Sequence, residues 1–196
     1  MFLSDFSTAV HSLTGHVGAI DEFMRVTANY LIYASLLILV ALWFHRAGLR
    51  AGVAVGIGAL LALGIGQLLA SVFPESRPFV ADHFTPLIPH AADGSFPSDH
   101  LLVLGAVVGG CLLSSRPLAA LAAALAVLVA VARVYVGIHH PIDVVAGFVI
   151  GGTCGVGVWL GLVPLQSTID RLDTELQRRG LRRIDPRGST SMHRSA

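Results

Sequence analysis

Two long stretches of this 196-residue chain are almost free of charge, and that fact most limits what it can fold into. No Asp, Glu or Arg occurs from Ala51 to Pro74, and only Arg116, Arg133 and Asp143 occur from Leu101 to Thr168. A soluble domain carries about 25% charged residues. Here the share is 13%, against 54% hydrophobic. Such a chain cannot clothe a water-facing surface, and it is expected in a lipid bilayer. Lysine is absent, so all 13 basic residues are Arg. The net charge of +1 gives no basic bias toward nucleic acid, so no nucleic-acid partner is expected.

A bilayer core takes about 20 mostly apolar residues per helix. Five runs qualify, at roughly 27–45, 51–73, 99–115, 117–136 and 142–163. The expected fold is an all-α integral membrane bundle with about five spans. Phe2, Phe6, Val10, Leu13, Val17 and Ile20 recur at three- and four-residue steps, which predicts an N-terminal amphipathic helix in the interface or against the bundle. Small residues such as Gly58, Gly64, Gly151 and Gly155 allow close helix contact. Cys111 and Cys154 fall inside apolar runs and read as small buried hydrophobes. No basic leader with a cleavage site precedes the first run, so uncleaved spans are expected to direct insertion.

Arg placement sets orientation. Arg46 and Arg50, then Arg116, then seven Arg after Gln166 fall on one side of a five-span model, the cytoplasmic one. The expected division is a membrane domain over 1–166 and a basic cytoplasmic tail over 167–196. The loops near 74–98 and 137–142 then face outward, and they hold the polar residues.

Those loops read Pro74-Glu75-Ser76-Arg77-Pro78-Phe79, then Gly94-Ser95-Phe96-Pro97-Ser98-Asp99-His100, then Arg133 to Asp143 through His139 and His140. Pro97 and Pro141 predict helix starts facing one side, and exposed helix N-termini attract anions. Arg77 and Arg133 add planar forks suited to phosphate. Ser98 adds a hydroxyl in a first helical turn. His139 and Asp143 stand four apart, on one helical face; His140, three from Asp143, is also compatible. An Asp holding one imidazole nitrogen leaves the other free as a nucleophile. His100 can serve as acid and then base, which implies a bell-shaped pH–rate profile.

Arg77-Pro78, Pro97-Ser98-Asp99-His100 and Arg133-x5-His139-x3-Asp143 resemble the three motifs of the type 2 phosphatidic acid phosphatase superfamily. Leu87-Ile88-Pro89-His90-Ala91-Ala92-Asp93 and the Ser95–His100 stretch are similar to its bacterial undecaprenyl-diphosphatase branch. The resemblance implies His139 as nucleophile, Asp143 as its partner and His100 as acid/base. It implies Arg77, Pro78, Ser98, Asp99 and Arg133 at the substrate phosphate, with no metal and no cofactor. It also implies an isoprenoid lipid diphosphate substrate, undecaprenyl diphosphate, cleaved at the outer face of a bacterial inner membrane, with membrane lipids as the other partners. The family spacing selects His139 over His140.

Three positions depart from the pattern. The motif-one lysine position is Ala70, with Gln67 and Ser71 as nearby polar residues. Asp99 replaces Gly and is a possible orienting group for Arg77 or Arg133, and Ala132 replaces Ser. His90 and Asp93 read as loop hydrogen-bonders, with head-group contact as the alternative. Asp82, His83 and Glu75 read as solvated; His11, His16, His45 and His193 receive no role. Two other functions stand beside hydrolysis of this lipid: a metal site drawn from His90, Asp93, His100, His139, His140 and Asp143, and a lipid-phosphate transporter. Within hydrolysis, phosphatidylglycerol phosphate or phosphatidic acid is the alternative substrate.

Overall fold

The computed structural model describes residues 10, 12–45 and 48–181. Among these, regular structure is helical apart from one isolated bridge between Ser76 and Gly94. Helix α1 (Gly18–Tyr30) passes through a 3-10 turn (Leu31–Tyr33) into α2 (Ala34–Trp43). Then come α3 (Gly48–Val72), the short α4 (Pro78–Ala81), α5 (Asp99–Leu112), α6 (Arg116–Tyr135), α7 (Pro141–Gly161) and α8 (Gln166–Arg178). Four stretches are long and apolar enough to cross a membrane: Gly18–Trp43, Gly48–Val72, Arg116–Tyr135 and Pro141–Gly161. Side chains such as Leu37, Leu60, Val127 and Val145 stand exposed on them, as a lipid-facing surface requires. The chain is a multi-pass membrane protein.

The first span begins at Gly18, well before the expected residue 27. The three charges that masked it are satisfied locally. Asp21 is buried and accepts from the Tyr135 hydroxyl at 2.8 Å and from the Gly15 N–H at 2.9 Å. Glu22 pairs with Arg25 at 3.7 Å on the exposed face. Of the predicted amphipathic helix over Phe2–Ile20, Phe2 and Phe6 lie outside the described residues, Leu13 lies in a turn, Val17 is the extended N-cap of α1 and Ile20 belongs to α1.

Helix α5 is the expected third span, and at 14 residues it is the shortest of the five. At about 1.5 Å per residue it is roughly 21 Å long, less than the roughly 30 Å of a hydrocarbon core. It can be short because it is wrapped by protein: α3, α6 and α7 all pack on it. The α5–α7 seam is closed by glycine. A Cβ at Gly151 would collide with the Leu102 carbonyl, and one at Gly105 with the Phe148 carbonyl. The two backbones therefore touch, as small residues permit between membrane helices.

The loops at the two ends of the bundle are tied separately. At one end Leu87 N–H donates to Val136 O at 3.0 Å, and Ser98 N–H to Asp143 O at 3.1 Å. At the other, Arg50 lies over the Trp159 ring at 4.3 Å and donates to Gln166 Oε1 and Trp159 O, both at 2.6 Å. That contact seats α8, so the tail expected over 167–196 begins as a helix. Residues 182–196 lie outside the described set. Cys111 is buried and Cys154 half-buried, both free.

Candidate active site

Helix α7 starts with Pro141 at its first position, as expected. Its N-cap is His140, whose N–H donates to Asp143 Oδ2 at 2.8 Å in a capping box. Ahead of it Gly137 has φ of +85°, a left-handed turn that glycine adopts without strain. This tight connection between α6 and α7 presents His139. Helix α5 differs from expectation at its start. Asp99 is its first residue and Ser98 its N-cap, so Pro97 lies just outside the helix rather than in its first turn.

His139 is buried, and its two ring nitrogens are differently engaged. Nδ1 lies 2.9 Å from the Ser95 carbonyl and 3.5 Å from Asp143 Oδ2. A carbonyl can only accept, so Nδ1 carries the proton and Nε2 the lone pair. Nε2 sits 3.1 Å from Arg133 Nη2. Arg133 Nη1 reaches His100 Nε2 at 3.5 Å and donates to the Ala28 carbonyl at 3.4 Å. One guanidinium thus bridges both histidines. Arg77 is buried too, donating from Nε to Asp93 Oδ1 at 2.7 Å and from Nη1 to Ile138 O at 2.9 Å.

A cavity of about 340 Å³ opens between α3, α5 and the end of α6, and His139, His100, Arg133, Arg77 and Asp99 all line it. Pro78, Ser98 and Asp143, also expected in the site, do not line it. Ser98 and Asp143 are fully buried behind it. Ser98 Oγ and Arg133 Nε have no hydrogen-bond partner among the described residues. Asp99 forms no hydrogen bond or ion pair there either, and the carboxylate that holds Arg77 is Asp93 instead. Asp93 also lies 3.8 Å from His90 Nδ1, and both residues line the cavity. Gln67 and Ala70 line it from α3, whereas the Ser71 hydroxyl turns back to Leu68 O at 2.7 Å. No three His, Cys, Asp or Glu side chains among the described residues converge as a metal site would need.

Two contacts, one in the site and one in the fold around it, had no sequence signal. The Ser95 partner of His139 is a backbone carbonyl, and the Asp21–Tyr135 bond joins residues 114 apart. Asp93 had a weak one, as an acid in a loop containing Arg77.

Charge and burial set the protonation of the loop groups. Burial, aided by the charges of Arg133 and Arg77, outweighs the upward pull of Asp143 and lowers the His139 imidazole to about 4. Burial raises the Asp93 carboxyl, but the Arg77 hydrogen bond and charge outweigh it and hold Asp93 below the usual carboxylate range. A depressed His139 value means the neutral, nucleophilic ring persists as pH falls below 6.5 and is lost only near 4. In a ¹⁵N NMR titration the His139 ring should therefore show a midpoint well under 6.5. A midpoint at or above 6.5 would contradict the burial argument.

Comparison with known proteins adds a lineage to this geometry. The PAP2 superfamily model matches residues 47–165, more than half of the chain. The chain belongs to the PAP2 superfamily. It is 38% identical over 144 residues to the undecaprenyl-diphosphatase BcrC of Bacillus subtilis, covering 72% of this chain and 75% of that one. It is 33% identical to the putative undecaprenyl-diphosphatase YbjG of Escherichia coli, over 59% of each chain. The crystal structure of Aquifex aeolicus LpxE superposes with a TM-score of 0.68 at 22% identity, over 81% of this chain and 94% of that one. The last likeness shows a shared fold. In the PAP2 frame, the matched region spans every cavity-lining residue named above.

Proposed function

We propose that this chain removes the terminal phosphate of undecaprenyl diphosphate through a phosphohistidine at His139, returning undecaprenyl phosphate. The observation that carries the reading is the His139 ring: its proton faces Ser95 and its lone pair faces Arg133, inside a cavity shared with Arg77 and His100. The names of the two relatives supply the substrate.

In the first step His139 Nε2 attacks the terminal phosphorus. Arg133, which holds that lone pair in the free protein, moves onto the phosphate oxygens with Arg77. The bond from phosphorus to the bridging oxygen breaks as His100 delivers a proton to that oxygen. Water then attacks the phosphohistidine, His100 takes the water proton, and the N–P bond breaks to free phosphate and neutral His139. Preorganised Arg forks stabilise the charge that builds on the transferring phosphoryl group. Asp143 acts from behind the cavity. It caps α7 through His140 and places a negative charge beside the Nδ1 proton.

We further propose that the cavity opens to the extracytoplasmic face of a bacterial inner membrane, with residues 1–166 as the membrane domain and α8 starting a cytoplasmic tail. Arg50 and Arg116 at the opposite ends of the spans support this orientation. A cysteine replacing Thr85 should react with an impermeant reagent from outside; reaction only from the cytoplasm would invert the model. The functional test is phosphate release by the purified protein from undecaprenyl diphosphate, phosphatidylglycerol phosphate and phosphatidic acid. The diphosphate should be preferred by at least tenfold in kcat/KM. A glycerolipid phosphate that is cleaved faster would replace it as substrate.

A further inference from the structure

Between Arg50 and Ser71, helix α3 carries one polar side chain, Gln67. A carboxamide on a membrane-spanning helix is costly without a partner. Gln67 makes no hydrogen bond to any other described residue, yet it lines the cavity that holds His139, His100, Arg77 and Arg133. The preceding residue explains how it gets there. A Cβ at Gly66 would meet Leu102 Cδ1 at 2.5 Å, so α3 lies close against α5 at this level. Gly66 and Ala70 line the same wall and offer no side-chain donor.

We infer that Gln67 is the contact that recognises the second phosphate of a diphosphate head group. The inference rests on the proposed function. A terminal phosphate in line with His139 Nε2 places its leaving oxygen, and the phosphate behind it, on the side away from His139. In the proposed first step both Arg turn to the terminal phosphate, with Arg77 held by Asp93 and Ile138 and Arg133 by Ala28. The inner phosphate of a diphosphate ester carries a single negative charge. A neutral amide donor suits it, needing no further buried cation. As the P–O bond breaks, charge grows on that inner phosphate, so an N–H aimed at it stabilises the leaving group. A monophosphate ester leaves as an alcohol and presents no such oxygen.

The test uses the purified full chain with a matched pair of substrates, farnesyl diphosphate and farnesyl monophosphate. Gln67→Leu should lower kcat/KM for the diphosphate by roughly 10²-fold, the scale of losing one transition-state donor. The monophosphate value should change by less than about threefold, since it loses no contact. Gln67→Glu, which sets a negative charge against the phosphate, should be worse than Gln67→Leu on the diphosphate. The thermal midpoint of Gln67→Leu should match that of the wild type, because Gln67 is exposed to the cavity and makes no hydrogen bond to another described residue. A wild type that cleaves neither substrate, or only the monophosphate, overturns the proposed function and this assignment together. A wild type that prefers the diphosphate, with Gln67→Leu reducing both substrates equally or neither, overturns Gln67 alone.

Discussion

His139→Ala should lower the rate of phosphate release by roughly 10⁴-fold or more, since it removes the atom to which phosphorus would bond. The cavity would keep both Arg, so substrate binding should weaken far less than turnover, and the loss should fall on kcat. The control is the adjacent residue. The His140 ring points elsewhere, to the Ser76 carbonyl at 3.3 Å, and caps α7. His140→Ala forfeits a helix cap worth about 1 kcal/mol and should retain activity within about tenfold. Wild type given diphosphate labelled with ³²P at the terminal phosphate and quenched in alkaline detergent should carry label that is stable to base and released by acid, the signature of a phosphoramidate. More than 1% of turnover surviving in His139→Ala would remove it as nucleophile.

The second large effect is expected at Arg133, even when the charge is kept. Arg133→Lys should lower kcat/KM by about 10²- to 10³-fold, comparable with losing one preorganised donor. A lysine offers one compact ammonium on a flexible stem, whereas the fork contacts His139, His100 and Ala28 at once. It would also leave the Ala28 carbonyl without its donor at the α1–α6 contact. If Arg133→Lys kept more than a tenth of wild-type activity, point charge alone would be enough, and the bridging geometry would lose its catalytic meaning.

Much of this was legible in the chain itself, for a physical reason. Long charge-free runs have one stable solution in a bilayer, so the spans at 51–73, 117–136 and 142–163 agree closely with α3, α6 and α7. Boundaries were missed where charge is satisfied by packing, as at Asp21, because the partner, Tyr135, is far away in sequence. His139, His100, Arg77 and Arg133 were legible because charged and titratable groups are rare here and their spacing follows the family motif. The Ser95 carbonyl was not, since any residue type supplies one. Asp99 read as a possible orienting group for Arg77 or Arg133, since an acid beside a phosphate is unfavourable unless it meets a cation. The fold gives Arg77 to Asp93, which the Ser76–Gly94 bridge brings alongside it.

The glycine seam between α5 and α7 divides the molecule into a part that can drift and a part that cannot. His100 is the second residue of α5, and His139 stands just ahead of α7. With the two backbones in contact, the separation of the histidines is set by helix geometry, and no side-chain repacking can change it by much. Gln67, Ala70 and His90 line the opposite wall, made of α3 and the 74–98 connection, and stand outside that seam. Head-group preference can therefore be rewritten along that wall by single substitutions while the phosphoryl-transfer pair keeps its spacing. One scaffold could in this way come to serve several lipid phosphates with the same chemistry.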